Sequence, residues 1–89
     1  MVVKLIELKD HFDRFSLQEI YINPEQVVYV RPLREKLNEN FYPEGLDKRQ
    51  EFSKIHLDHG QSGLILTVVG SPALVEQKLN GVARQLLKG

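Results

Sequence analysis

Histidines and carboxylates at two places in the chain are the side chains best suited to chemistry. They are His56, Asp58 and His59 in one group, and Asp10, His11 and Asp13 in the other. Imidazole and carboxylate groups are common ligands of zinc and other transition metals. On a strand, however, His56 and Asp58 share a face while His59 falls in the following turn, so the three side chains do not converge. We therefore predict no metal site.

The sequence carries no recognisable catalytic motif. No serine or histidine stands in a motif for nucleophilic catalysis, and no glycine-rich run could cradle a phosphate. The chain has no cysteine, which excludes thiolate chemistry and disulfides. The pairs Asp10-His11 and Asp58-His59 could exchange protons, but such pairs are ordinary in small domains. We predict that the protein is not an enzyme, has no catalytic residues and binds no cofactor.

Length and charge restrict the class of protein. The 89 residues fit a single domain, 1–89, whose core is small enough for self-association to help stabilise it, so we expect a homo-oligomer. Twelve basic residues balance twelve acidic ones, which excludes a strongly basic nucleic-acid footprint. The first apolar run is short and is broken by Lys4 and Glu7, so it is neither a membrane span nor a signal peptide. We expect a cytoplasmic protein that does not contact membranes.

Hydrophobic periodicity predicts a mainly β fold. Within the third of its strands, Val28 and Val30 are predicted to face opposite to Val27 and Tyr29. The most apolar run, Leu64 to Val69, is predicted to be a strand buried on both faces. The five predicted strands cover about residues 2–8, 17–23, 26–31, 51–58 and 64–69.

A C-terminal helix over 71–88 is predicted from its start signals and its apolar stripe. Ser71 is a favoured N-cap and Pro72 suits the first helical position. The stripe repeats at helical spacing and consists of Val75, Leu79, Val82 and Leu86. Asn80-Gly81 could instead divide the helix in two.

Two segments have no clear strand pattern. Lys9 to Ser16 is predicted to be a loop that tucks one phenylalanine ring under the sheet. Residues 32–50 form an irregular excursion or an extended hairpin. Within it, Phe41 and Tyr42 are either anchors of an interface or a cover for one end of the fold.

The chain resembles the Sm-like family of small, strongly bent five-stranded barrels. The resemblance is carried by the long segment between the third and fourth strands and by the run Leu57-Asp58-His59-Gly60-Gln61 before Leu64-Ile65-Leu66. Gly60 matches the family glycine, while His59 and Gln61 stand where the family has its Arg and Asn. Asn23-Pro24-Glu25-Gln26 occupies the family's other base-contacting turn. The chain departs from the family by Ser62-Gly63 and by a helix after the strands rather than before them.

This resemblance implies a homo-oligomeric ring that binds single-stranded RNA. Subunits of the family join through the edges of their fourth and fifth strands, which here would involve Leu64 and Leu66. Bases would then stack and form hydrogen bonds in one opening of the ring. The residues implied in RNA binding are Asn23, Gln26, His59, Gly60 and Gln61.

A second resemblance points to a different class of function. Tyr21-Ile22-Asn23-Pro24, Ile55-His56-Leu57 and Ser71-Pro72 before an apolar helix are similar to a family of small flagellar and swarming-motility proteins. It implies a regulatory or scaffold module that binds a protein partner and has no affinity for nucleic acid. The partner would then contact the helix stripe, Leu74, which lies off that stripe, or the Phe41-Tyr42 loop.

Overall fold

The mainly β prediction is confirmed by a computed structural model, which has five antiparallel strands in one sheet and a single C-terminal helix. The structure describes residues 2–58 and 63–88, with residues 82–88 described by their main chain. The helix and strands are β1 (Val3–His11), β2 (Arg14–Ile22), β3 (Val27–Pro32), β4 (Phe52–Leu57), β5 (Leu64–Val69) and α1 (Pro72–Lys88). Two short 3-10 turns, Pro24–Gln26 and Glu39–Phe41, lie between strands.

The strand order across the sheet is β2-β1-β5-β4-β3. The chain therefore forms two hairpin systems, β1–β2 and β3–β4–β5, that meet where β1 runs beside β5. The register between β1 and β5 is set by one pair, Glu7 opposite Val68. β2 and β3 are the two edges of this sheet, and the described residues do not pair them into a closed barrel.

The core lies between one face of the sheet and α1. Ser71 begins the helix as predicted, because its hydroxyl accepts a hydrogen bond from the Leu74 N–H at 3.3 Å. Pro72 occupies the first helical position, and α1 runs without interruption through Gly81. No helix in the described part of the chain is long and apolar enough to cross a membrane. The buried residues of the core are Val3, Leu5, Ile22, Ile55, Val68, Val75 and Leu79.

A smaller aromatic cluster lies outside this core, where the 33–50 segment returns towards the sheet. The Phe15 ring meets Phe41 at 5.8 Å and Tyr42 at 6.1 Å between ring centroids. Tyr42 also meets Phe52 at 6.1 Å, edge to face. Edge-to-face pairs at these separations contribute a favourable interaction energy in addition to that from the burial of apolar area. The cluster therefore ties the irregular segment to β2 and β4.

The predicted loop over Lys9 to Ser16 is wrong. These residues extend β1 and β2 into a long hairpin whose turn consists of Phe12 and Asp13. The nine cross-strand pairs follow without a break from Val3–Ile22 to His11–Arg14. Of the two phenylalanines, Phe12 is fully exposed at the tip and Phe15 packs in the aromatic cluster. Continuous pairing along β1 overrides the polar composition of the segment.

The predicted facing of β3 is also wrong, because the strand contains a bulge. The register with β4 shifts between Val27 and Tyr29. Val27 and Val30 both pack against the core, whereas Val28 is 59% exposed. An extra residue in a strand reverses the facing of those that follow, so simple alternation fails here.

The predicted burial of β5 on both faces does not hold at the start of the strand. Leu64 and Ile65 are exposed, Ile65 by 55%, while Val68 is fully buried. The pair with β1 lies near the other end of β5, at Val68. The first residues of β5 are thus paired with β4 and lie beyond the region where β1 and α1 cover the sheet.

Candidate functional site

The Pro24–Gln26 turn, which the sequence implicates in base recognition, lies beside the end of β4. The Asn23 side chain accepts a hydrogen bond from the Glu25 N–H at 3.0 Å and so caps the Pro24–Gln26 turn. The carbonyl of Gln26 accepts from the Asp58 N–H at 2.8 Å, which joins this turn to the start of the β4–β5 turn. The remaining residues predicted to bind RNA, His59, Gly60 and Gln61, lie outside the described residues.

An aromatic and basic cluster lies on β3 and β4 and was not predicted from the sequence. The Arg31 guanidinium stands 4.2 Å from the centroid of the Tyr29 ring, a cation–π contact. His56 meets Tyr29 edge to face at 4.8 Å, and a Cβ on Gly63 would clash with its Nε2. The His56 Nδ1 is buried and has no hydrogen-bond partner in the described part of the chain. His56 is thus packed between Tyr29 and Gly63 as a member of this cluster.

The residues predicted to form an interface are dispersed over the fold. Phe41 and Tyr42 are half-buried in the aromatic cluster, and Leu66 is half-buried against the core. Leu64 lies exposed at the start of β5 and Leu74 lies exposed on α1. No single surface therefore unites these residues among those that the structure describes.

A cavity of about 510 Å³ lies between the 33–50 segment and Phe52. Its lining holds three basic and three acidic side chains, and among them Lys48 lies 3.9 Å from Glu39. Such balanced charges do not favour a charged ligand. Residues 2–58 and 63–88 also contain no group of three metal-ligating side chains that could hold an ion.

The 33–50 segment is held in shape by local turns. The Asp47 carboxylate accepts from the Arg49 N–H at 2.8 Å and from the Arg49 guanidinium at 3.4 Å. The backbone bond and then the guanidinium lower the pKa of Asp47 below its ordinary value. We assign Asp47, which is exposed and bonded to the next turn residues, a role in ordering the turn.

The strand edges decide which surface can accept another chain. β4 pairs with β5 on one side and with β3 on the other, so it has no free edge for the subunit contact that the Sm-like resemblance implies. The outer edges belong to β2 and β3. β3 carries the bulge after Val27 and ends at Pro32, two features that discourage pairing with another strand.

The outer side of Arg14–Ile22, which we call the β2 edge, lacks such protection. β2 is nine residues long and keeps one register with β1 throughout, without a bulge or proline. The residues that flank a two-residue turn form a hydrogen-bonded pair, here His11 and Arg14, and such pairs recur at every second residue. The backbone N–H and C=O groups that point away from β1 are therefore those of Phe15, Leu17, Glu19 and Tyr21.

The side chains of the β2 edge are also accessible. Leu17 is 43% exposed and Tyr21 is 63% exposed, and Gln18 and Glu19 between them are exposed as well. Neighbouring residues on a strand point to opposite faces, so neither face of the hairpin is covered at this position. Glu19 is paired with Lys4 at 3.8 Å, which offsets its charge. The edge thus presents unpaired backbone groups between two apolar side chains.

The fold and this edge define a small antiparallel β domain that carries a C-terminal helix and, among the residues that the structure describes, a nine-residue edge strand without a bulge or proline. Comparison with protein-family models, curated proteins and solved structures gave no match to this chain.

Proposed function

We propose that the chain is a protein-binding module that acts in regulation or as a scaffold, and that it takes up a β-strand along the β2 edge. The observation that carries the proposal is the nine-residue strand in unbroken register, with nothing among the described residues paired to its outer side. An added strand would form main-chain hydrogen bonds along this edge, the mode of binding known as β-augmentation.

The side chains of the β2 edge support a protein ligand. Leu17 and Tyr21 offer apolar and aromatic surface beside the free backbone groups, and aromatic anchors contribute much of the energy of protein interfaces. The net charge of zero supplies no long-range attraction to a polyanion. In this proposal the protein performs no catalysis.

The Glu19→Pro and Glu19→Ala variants test the proposal as a matched pair. Both remove the carboxylate, but only proline removes the outward-pointing N–H and places its ring in the path of an added strand. We expect Glu19→Ala to retain partners captured from a lysate of the source cell and Glu19→Pro to lose them. Binding of each recovered partner is then measured by calorimetry with variants whose fold is verified by circular dichroism. Equal affinity of the two variants would refute the proposal.

Binding of single-stranded RNA is a second candidate function, which the contact between the two turns favours. The Gln26–Asp58 hydrogen bond joins the Asn23–Gln26 turn to Asp58, the residue that precedes His59 in the sequence. In this proposal the turns of several subunits together contact bases. Glu25 and Asp58 add negative charge at this turn, which weakens phosphate contacts.

Titration with oligo(U) at low salt tests the RNA proposal. We expect binding that His59→Ala plus Gln61→Ala weakens at least tenfold. The matched control is His11→Ala plus Gln77→Ala, which removes the same residue types from the hairpin and from α1. Absence of binding by the unaltered protein, or equal losses in both double variants, would contradict the proposal.

A further inference from the structure

We propose that the strand taken up by the β2 edge is the β2 strand of a second copy of this chain, antiparallel and with Gln18 opposite Gln18. The inference rests on the proposed function, because it names the partner of the same edge. The result would be one continuous sheet in which β2 of each copy becomes an internal strand.

Two-fold symmetry restricts the possible registers. A two-fold axis perpendicular to the sheet does not exchange the two faces of the sheet. Residues that lie opposite each other on the two β2 strands must therefore have their side chains on the same face. Side chains alternate between faces along a strand, and the axis must therefore pass beside one residue of β2 rather than between two. Gln18 is the midpoint of Arg14–Ile22, so a register centred there pairs the whole strand.

Charge favours the register centred on Gln18 over the register centred on Glu19. If the axis passed beside Glu19, the two carboxylates would lie directly opposite each other, which destabilises a strand pair. In the register centred on Gln18, Glu19 lies opposite Leu17 and each Glu19 keeps its own Lys4, 3.8 Å away. The central position then holds two neutral amides, which can form hydrogen bonds with each other.

Aromatic residues are matched in the same register. Tyr21 of each copy lies opposite Phe15 of the other, and aromatic cross-strand pairs are favourable. Phe15 already packs against Phe41 at 5.8 Å and Tyr42 at 6.1 Å. The exposed Tyr21 ring would join this aromatic cluster, which gives it a contact that the single chain does not provide.

The length of the β2–β2 contact indicates how stable the dimer would be. A nine-residue strand is about 30 Å long, and an edge contact of that length lies at the low end of interface sizes. We therefore expect a reversible dimer that dissociates on dilution, and a covalent trap detects such a dimer better than elution volume does.

A cysteine scan provides that trap, because the chain has no cysteine of its own. The pair Glu7–Gln18 is hydrogen-bonded within the hairpin, so Gln18 opposite Gln18 would be a non-hydrogen-bonded pair, about 4.5 Å apart between Cα atoms. That distance suits a disulfide. Under mild oxidation we expect Gln18→Cys to form a covalent dimer at least tenfold faster than Gln77→Cys, a matched glutamine position exposed on α1.

Two further variants identify the edge. Adding Glu19→Pro to Gln18→Cys should abolish the faster cross-linking, and Val28→Cys on the β3 edge should react no faster than Gln77→Cys. Cross-linking of Gln18→Cys at the rate of Gln77→Cys would overturn the inference, as would faster cross-linking of Val28→Cys than of Gln18→Cys. If Gln18→Cys fails while Glu19→Pro still loses partners that Glu19→Ala retains, the inference is wrong and the proposed function stands. If Gln18→Cys shows no faster cross-linking and Glu19→Pro binds partners as Glu19→Ala does, the inference and the proposed function are both wrong.

Discussion

At the scale of single residues, Ser53 shows how a polar side chain is accommodated in a small core. Ser53 is fully buried on β4, and its hydroxyl donates a 2.7 Å hydrogen bond to the Gly70 carbonyl at the end of β5. Buried polar groups are stable when they are paired. The bond fixes the point at which the chain leaves the sheet and enters α1.

We expect Ser53→Ala to lower the free energy of unfolding by about 1–2 kcal/mol, because the Gly70 carbonyl loses its buried donor. Ser16→Ala is the control, since the Ser16 hydroxyl bonds to His11 at 2.7 Å on the surface; there we expect a change of less than about 0.5 kcal/mol. Urea denaturation measures both. Equal losses in the two variants would mean that burial of the bond does not matter.

Sequence signals at the residue scale were reliable where they act locally. The Ser71 hydroxyl caps α1 and Pro72 begins it, as their types indicate. The Tyr29–Arg31–His56 cluster was not predictable, because the bulge after Val27 changes which residues of β3 face those of β4. A bulge depends on pairing between distant segments, which the local pattern does not specify.

At the scale of elements, two glycines have opposite roles. Gly70 ends β5 with a φ of +122°, a conformation that side chains rarely adopt, and the Leu74 and Val75 side chains lie close to it. Gly81 lies inside α1 with nothing within 4 Å of the position that a Cβ would take. The first glycine is required by the connection, whereas the second weakens the helix.

We expect Gly70→Ala to destabilise the fold by about 1–2 kcal/mol, because alanine is strained at a positive φ. Gly81→Ala should raise the free energy of unfolding by up to about 1 kcal/mol through its higher helix propensity. Thermal unfolding followed by circular dichroism compares the two. Changes of the same sign at both positions would contradict this account.

The predicted bounds of β3, β4, β5 and α1 lie within one residue of those in the structure, but the ends of β1 and β2 at their shared turn were not predicted. The β1–β2 hairpin extends through residues that read as a loop, because pairing along β1 outweighs the polar composition of Lys9 to Ser16. The apolar start of β5 was predicted to be buried and is exposed. Hydrophobicity indicates that a residue prefers burial, but packing against distant segments decides whether a strand residue is covered.

At the scale of the whole molecule, the strand order determines which surfaces remain open. β4 lies inside the sheet and β2 lies at its edge, so the β2 edge is the surface that we propose for assembly. The sequence suggested self-association but placed it at the fourth and fifth strands. Strand order depends on contacts between segments far apart in the chain, and a single sequence does not fix it.

The meeting of β1 with β5 at Glu7–Val68 has a consequence for synthesis of the chain. The β1–β2 hairpin can form as soon as it leaves the ribosome, but its core residues Val3 and Leu5 belong to a cluster that is completed by residues synthesised later, including Val68 and Val75. Until those residues emerge, the hairpin exposes an apolar face beside an open edge, a combination that favours misassembly. A chain terminated before Val75 would remain in that vulnerable state.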